Sequence, residues 1–107
     1  MTSIKQALLL LKDGSFMKAD SLLKKILKNQ PNNIEALYLA GISAMRLKKY
    51  HKSELLFTKA IKIKSDFSSA MNGRAILYHE LERFEAAVRD CKIAISIDPN
   101  YAEAFYN

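Results

Sequence analysis

Shifted by 34 positions, the chain aligns with itself. Phe16, Tyr50 and Phe84 fall in one column, each after a short polar turn, and Pro31, Ser65 and Pro99 fall in another beside Asn32, Asp66 and Asn100. Small residues share columns: Ala7 with Gly41 and Ala75, Ala19 with Ser53 and Ala87, and Ala36 with Ala70 and Ala104. Apolar residues do the same, as Leu23, Phe57 and Cys91; Ile26, Ala60 and Ala94; and Leu37, Met71 and Phe105. A period of this length is the mark of a repeat architecture, in which one supersecondary unit recurs and each copy buries its apolar face against the next.

Each period resolves into two helices. Leu37, Ala40, Gly41 and Ala44 lie at i, i+3, i+4 and i+7, one apolar helical stripe. After the Lys48-Lys49-Tyr50 turn, Leu56, Phe57, Ala60, Ile61 and Ile63 mark a second helix. Asn32-Asn33 and Asp66 are placed to cap helix starts by accepting from unpaired amides, Gly14 suits a helix end, and Pro31 and Pro99 interrupt the joints. The pattern predicts helices over 3–13, 16–29, 33–47, 51–64, 67–81 and 85–97, with another starting at 101. Ala7 with Ala19, Gly41 with Ser53, and Ala75 with Ala87 would let the helices of each hairpin approach closely, while Phe16/Tyr50/Phe84 and Leu23/Phe57/Cys91 would fill the space between hairpins. The expected class is all-α, a solenoid of antiparallel helix hairpins.

These residues resemble the tetratricopeptide repeat family of 34-residue helix–turn–helix units. The third repeat carries the family pattern as Met71, Ala75, Tyr78, Ala87, Cys91, Ala94 and Pro99; the second as Leu37, Gly41, Ser53, Phe57 and Ala60; the first more loosely as Ala7, Leu10, Ala19, Leu23, Ile26 and Pro31. The resemblance divides the chain into repeats at 1–33, 34–67 and 68–101, with a partial fourth at 102–107, all in one domain. It implies a right-handed superhelix whose concave groove binds a peptide or protein segment. Solenoids end in a polar capping helix, so a chain stopping at Phe105-Tyr106-Asn107 reads as part of a longer array, or as one whose end a partner covers. The joint after Asp98 also resembles those of glycosyltransferases that carry such arrays before a catalytic domain. On that alternative the chain is a recruitment arm, and a stop codon directly after Asn107 would remove it.

Composition narrows the work. The chain holds 17 Lys and Arg against 11 Asp and Glu, a net +6; residues 1–67 hold 13 basic and 5 acidic groups, and residues 68–107 hold 4 and 6. The lysines scatter around their helices with no interleaved aromatic platform, so a solvated face is expected rather than a nucleic-acid surface; an adaptor working through them would show steep salt dependence. No apolar run reaches bilayer length, so no membrane partner is expected. The single cysteine suits a reducing, cytoplasmic compartment. Cys91 falls in a core column and reads as a buried structural thiol, and His51 and His79 lie in different repeats without metal-ligand spacing. No phosphate-binding glycine loop, metalloprotease motif or nucleophile elbow appears. The expectation is a non-catalytic interaction scaffold with no cofactor or metal.

The family resemblance places the partner site on the first helix of each repeat. Its inward stripe is Leu8, Leu11 and Lys12 in the first repeat; Tyr38, Leu39, Ile42, Met45 and Arg46 in the second; and Asn72, Gly73, Ile76, His79 and Glu80 in the third. Some members clamp a chaperone tail's carboxylate with Lys and Asn. Those positions are here Ile4, Leu8, Leu39, Ser69 and Gly73, or one repeat along Tyr38, Ile42, Gly73, Glu103 and Asn107, with no cation in either set. An apolar or amphipathic segment suits the stripe better, and Ile42→Asp or Tyr38→Ala is expected to abolish capture with stability unchanged. Leu8 to Leu11 point in four directions about 100° apart, so some of them face away from the neighbouring helix; this makes a homodimer the alternative partner and self-association the alternative function.

Overall fold

The computed structural model describes residues 3–100. Six helices follow in order, α1 Ser3–Lys12, α2 Phe16–Asn29, α3 Ile34–Arg46, α4 Tyr50–Ile63, α5 Ser68–Glu80 and α6 Phe84–Ile97, and no strand occurs among the described residues. Each bound lies within one residue of its sequence expectation; the helix expected from 101 falls outside the described residues. Each helix packs on the next in the chain, and α1, α3 and α5 touch in series along one side. This is the all-α solenoid that the period predicts.

The columns are the core. Ala7, Ala19, Ala36, Ala60, Ala70 and Ala75 are fully buried, with Leu23, Leu37, Phe57 and Leu77 among the buried large side chains. Ser53 replaces an alanine at one helix crossing and donates its Oγ–H to the Gly41 carbonyl at 2.8 Å. That bond satisfies a hydroxyl that would be costly to bury alone.

The three hairpin turns are one structure repeated. Gly14, Lys48 and Glu82 share a column and all have left-handed backbones, with φ of 82°, 63° and 61°. The amide after each reaches back five residues: Ser15 to Leu10, Lys49 to Ala44 and Arg83 to Tyr78. These bonds occupy carbonyls that a helix end otherwise leaves unpaired. Only the first turn uses glycine, so Lys48 and Glu82 hold a conformation that costs an L-residue about 1–2 kcal/mol.

Two expectations are corrected. Asn33 caps α3 by accepting from the Ala36 amide at 3.0 Å, but Asp66 does not cap α5. Phe67 holds the N-cap position because its ring packs on Tyr38 at 5.7 Å. Asp66 turns outward to Lys64 at 2.7 Å, whose hydrogen bond and charge hold the Asp66 carboxyl below its ordinary value. The Phe16/Tyr50/Phe84 column fills the space between hairpins only where a next hairpin is described. Phe16 accepts the Ser43 hydroxyl at its carbonyl and Arg46 over its ring, and Tyr50 packs on the cluster of Met45, Phe57 and Leu77. Phe84 is 53% exposed.

The second repeat is set by one aromatic. A Cβ on Gly41 would fall 2.6 Å from the Phe57 ring, and one on Gly73 of the next repeat 2.8 Å from it. At the preceding junction the corresponding trio is Ala7, Leu23 and Leu39, packed in one cluster. Volume lost at two backbone positions is thus regained in one ring. Gly41→Ala should therefore destabilise the protein by about 1–3 kcal/mol through overpacking, although Gly→Ala in a helix otherwise gains about 1 kcal/mol. Combined with Phe57→Leu, which recreates the Ala7–Leu23 pair, most of that loss should disappear in denaturant unfolding. Strictly additive effects would show that the ring is not the obstacle.

Candidate binding groove

The inward sides of α1, α3 and α5 carry a second set of columns. Leu8, Ile42 and Ile76 form an apolar row, one from each repeat: Leu8 is 40% and Ile76 37% exposed, and Ile42 is half-buried. Lys12, Arg46 and Glu80, all exposed, run alongside. Between α3 and α5 the row deepens into a depression of about 400 Å³, with Ile42, Met45 and Ile76 as its apolar lining and Arg46, Lys48 and Glu80 as its charges. Tyr50 completes the wall.

The expected site residues separate into two groups. Leu8, Leu11, Lys12, Ile42, Arg46, Asn72, Ile76 and His79 offer at least part of their surface to solvent. Leu39 and Met45 are buried. Leu39 packs with Leu23 and Ala7 across the first junction, and Met45 joins Phe57 and Leu77 across the second, presenting only an edge to the depression. The two apolar stripes of α3 are explained by this position: flanked by a hairpin on each side, α3 buries both. Tyr38 is also partly structural, with its ring 6.2 Å from Phe57 and 5.7 Å from Phe67. Tyr38→Ala is therefore not a clean probe of the groove. His79 stands edge-on to Phe84 at 5.3 Å.

Outside the groove, a polar network that the sequence reading did not single out fastens the second repeat to the third. The Arg74 guanidinium donates to both oxygens of buried Asp90, at 2.6 and 2.9 Å, and to Thr58 Oγ1 at 3.1 Å. Its hydrogen bonds to Asp90 raise its pKa further. The Tyr78 hydroxyl donates to Glu54 at 2.7 Å, and Arg83 lies over the Tyr78 ring, 4.5 Å from its centre, and 3.4 Å from Glu54. Burial, reinforced by the bond to Glu54, pushes the Tyr78 phenol up. A readable signal existed: Leu22, Leu56 and Asp90 share a column, as do Gln6, Ala40 and Arg74, so acid and base replace an apolar pair together. The outer ion pair is itself periodic, since Asp20 with Lys49 at 3.5 Å recurs 34 residues on as Glu54 with Arg83.

Among the described residues, no group of three or more His, Cys, Asp and Glu is placed to hold a metal, and no helix is long and apolar enough to cross a membrane. Cys91 is buried.

Two family models, both described as tetratricopeptide repeat, match residues 4–66 and 68–101. A UDP-N-acetylglucosamine–peptide N-acetylglucosaminyltransferase of Giardia intestinalis is 32% identical over 101 residues, which is 94% of this chain but 7% of the transferase. A crystal structure of MamA superposes with a TM-score of 0.88 at 20% identity, over 96% of this chain and 60% of MamA. The first repeat domain of Spaghetti (RPAP3), bound to the HSP90 peptide SRMEEVD, superposes with a TM-score of 0.86 at 20% identity, over 92% of this chain and 79% of that one.

Arg74→Ala strands Asp90 in the interior and should cost about 3–5 kcal/mol. Arg74→Ala with Asp90→Leu rebuilds the Ala40–Leu56 pair of the second repeat and should return stability to near wild type in denaturant titrations. The raised Tyr78 pKa stabilises the folded state below the unfolded phenol value of about 10, and this contribution is lost as pH rises through the folded value. Tyr78→Phe should accordingly delete the highest-titrating step of the ultraviolet phenolate curve.

Proposed function

Because the chain belongs to the tetratricopeptide repeat family, we propose that it is a non-catalytic interaction module, holding an apolar or amphipathic segment of a partner protein along α1, α3 and α5. One observation carries this reading: Leu8, Ile42 and Ile76 keep apolar surface in solvent, in register, on the side where the depression lies. A side chain entering between Ile42 and Ile76 meets Met45 below and Arg46 or Glu80 at the rim, so apolar contact supplies affinity and the charges set orientation. The bound peptide of the Spaghetti domain supports the general mode. The positions at which family members clamp a chaperone carboxylate carry no cation here, and two of them, Leu39 and Gly73, are buried, so an acidic tail held by its terminus is not the ligand we propose. The reading places the protein in the cytoplasm, where its single thiol stays reduced.

The relative from Giardia supports a second reading, in which the chain is the substrate-recruiting array of a larger transferase. The chain then transfers no sugar by itself and binds the segment that a catalytic domain elsewhere modifies. Both readings use the same groove, and binding measurements with and without a catalytic domain separate them.

Peptides selected from a displayed library on the wild-type protein should lose at least about tenfold in affinity, roughly 1.4 kcal/mol, on Ile42→Asp or Ile76→Asp. The melting temperature should hold within a few degrees, because both side chains face solvent in part. Unchanged affinity in both variants, with the fold intact by circular dichroism, would remove the groove from the account.

A further inference from the structure

The two ends of the solenoid expose residues that, at the internal junctions, meet one another. At the first junction Phe16 contacts Ser43 and Arg46 of the next repeat, and at the second, Tyr50 packs on the cluster that contains Leu77. One period further, Phe84 stands uncovered, and the residue in the Ser43/Leu77 column is Leu9, itself 58% exposed on α1. Lys12, in the Arg46 column, is exposed as well.

The ion-pair columns end in the same coordinated way. Asp20 and Glu54 face cations at 49 and 83, but the next member of the acidic column is Val88, 50% exposed. The member of the cationic column in the first repeat is Ser15. Acid and cation are lost together at the ends, so a Val88–Ser15 junction leaves no charge stranded. Tyr78, which meets Glu54, corresponds to Leu10. Leu10 lines a shallow cleft of about 600 Å³ with Leu22, Met17 and Lys18, and at the second junction the corresponding positions are contacted by Glu54 and Thr58 of α4.

We infer that the occupant of the α6 face is the α1 end of a second copy of this chain, docked head to tail so that the solenoid continues between molecules. Phe84 packs on Leu9 and Lys12 of the second copy, and Val88 packs on its Leu10. Residues 101–107 carry the register of 33–39, which they share in part with residues 1–5, so the two segments compete for the first turn of that slot. The contacts at 9, 10, 84 and 88 lie outside the overlap. Such an interface is heterologous and does not close at two copies. It is independent of the groove, which stays open along the assembled array.

The test is the mass of the 107-residue chain by light scattering after size exclusion, from about 10 µM to about 1 mM, the range suited to a weak interface. Wild type should grow with concentration beyond a dimer. Leu9→Asp and Phe84→Asp, each at an exposed position and checked for helicity, should each remain monomeric. An equimolar mixture of the two should form a heterodimer and stop there, since one variant keeps an intact α6 end and the other an intact α1 end. A wild-type monomer at every concentration, a closed wild-type dimer, self-association of either variant, or a mixture that stays monomeric would each overturn the proposal.

Discussion

The Phe57 ring sits against two glycines, Gly41 of its own hairpin and Gly73 of the next, and neither could carry a side chain there without displacing it. Through those contacts it fixes how closely α4 approaches both α3 and α5. The position of Ile42 relative to Ile76, and so the width of the groove, follows from that spacing. Tyr38, Met45 and Leu77 gather around the same ring, so the helix that supplies most of the inner face is held from behind by the residue that sets the repeat spacing. Close packing leaves such an arrangement little room to adjust. The groove is shaped by the core and only decorated by its own side chains.

The two internal junctions reach similar geometry by different chemistry. The first is apolar, with Ala7, Leu23 and Leu39 in one cluster and an outer ion pair between Asp20 and Lys49. The second keeps that outer pair as Glu54 and Arg83 and adds the buried Arg74–Asp90 pair. A buried ion pair adds little net stability over an apolar pair of similar size, but it penalises every arrangement that separates its members. Its effect here is on the fidelity of the register between α4, α5 and α6. The third repeat is thereby tied to the second through bonds with fixed directions.

Most of the fold was legible because repetition turns a single ambiguous pattern into aligned copies. Ala7, Gly41 and Ala75 are separately uninformative residues, but together they mark a helix crossing. The errors arise where one repeat departs from the others. Asp66 looked like Asn33, yet Phe67 takes the capping position because Tyr38 offers its ring a partner. Leu39 and Met45 share a helix face with Ile42 in projection, but the flanking hairpins cover them, and coverage is a tertiary fact that a single helix cannot report. Arg74 and Asp90 were visible as paired breaks in two columns; what the sequence lacks is the statement that those columns touch.

The described helices touch only their neighbours, and α1 meets α3 while α3 meets α5, with no contact that spans the whole array. A globular core shares load among all its elements. Here tension along the axis passes through the junctions one after another, as through links of a chain, so the weakest junction alone sets the force at which the molecule yields. The hairpins on either side can survive its failure with their own helix crossings intact.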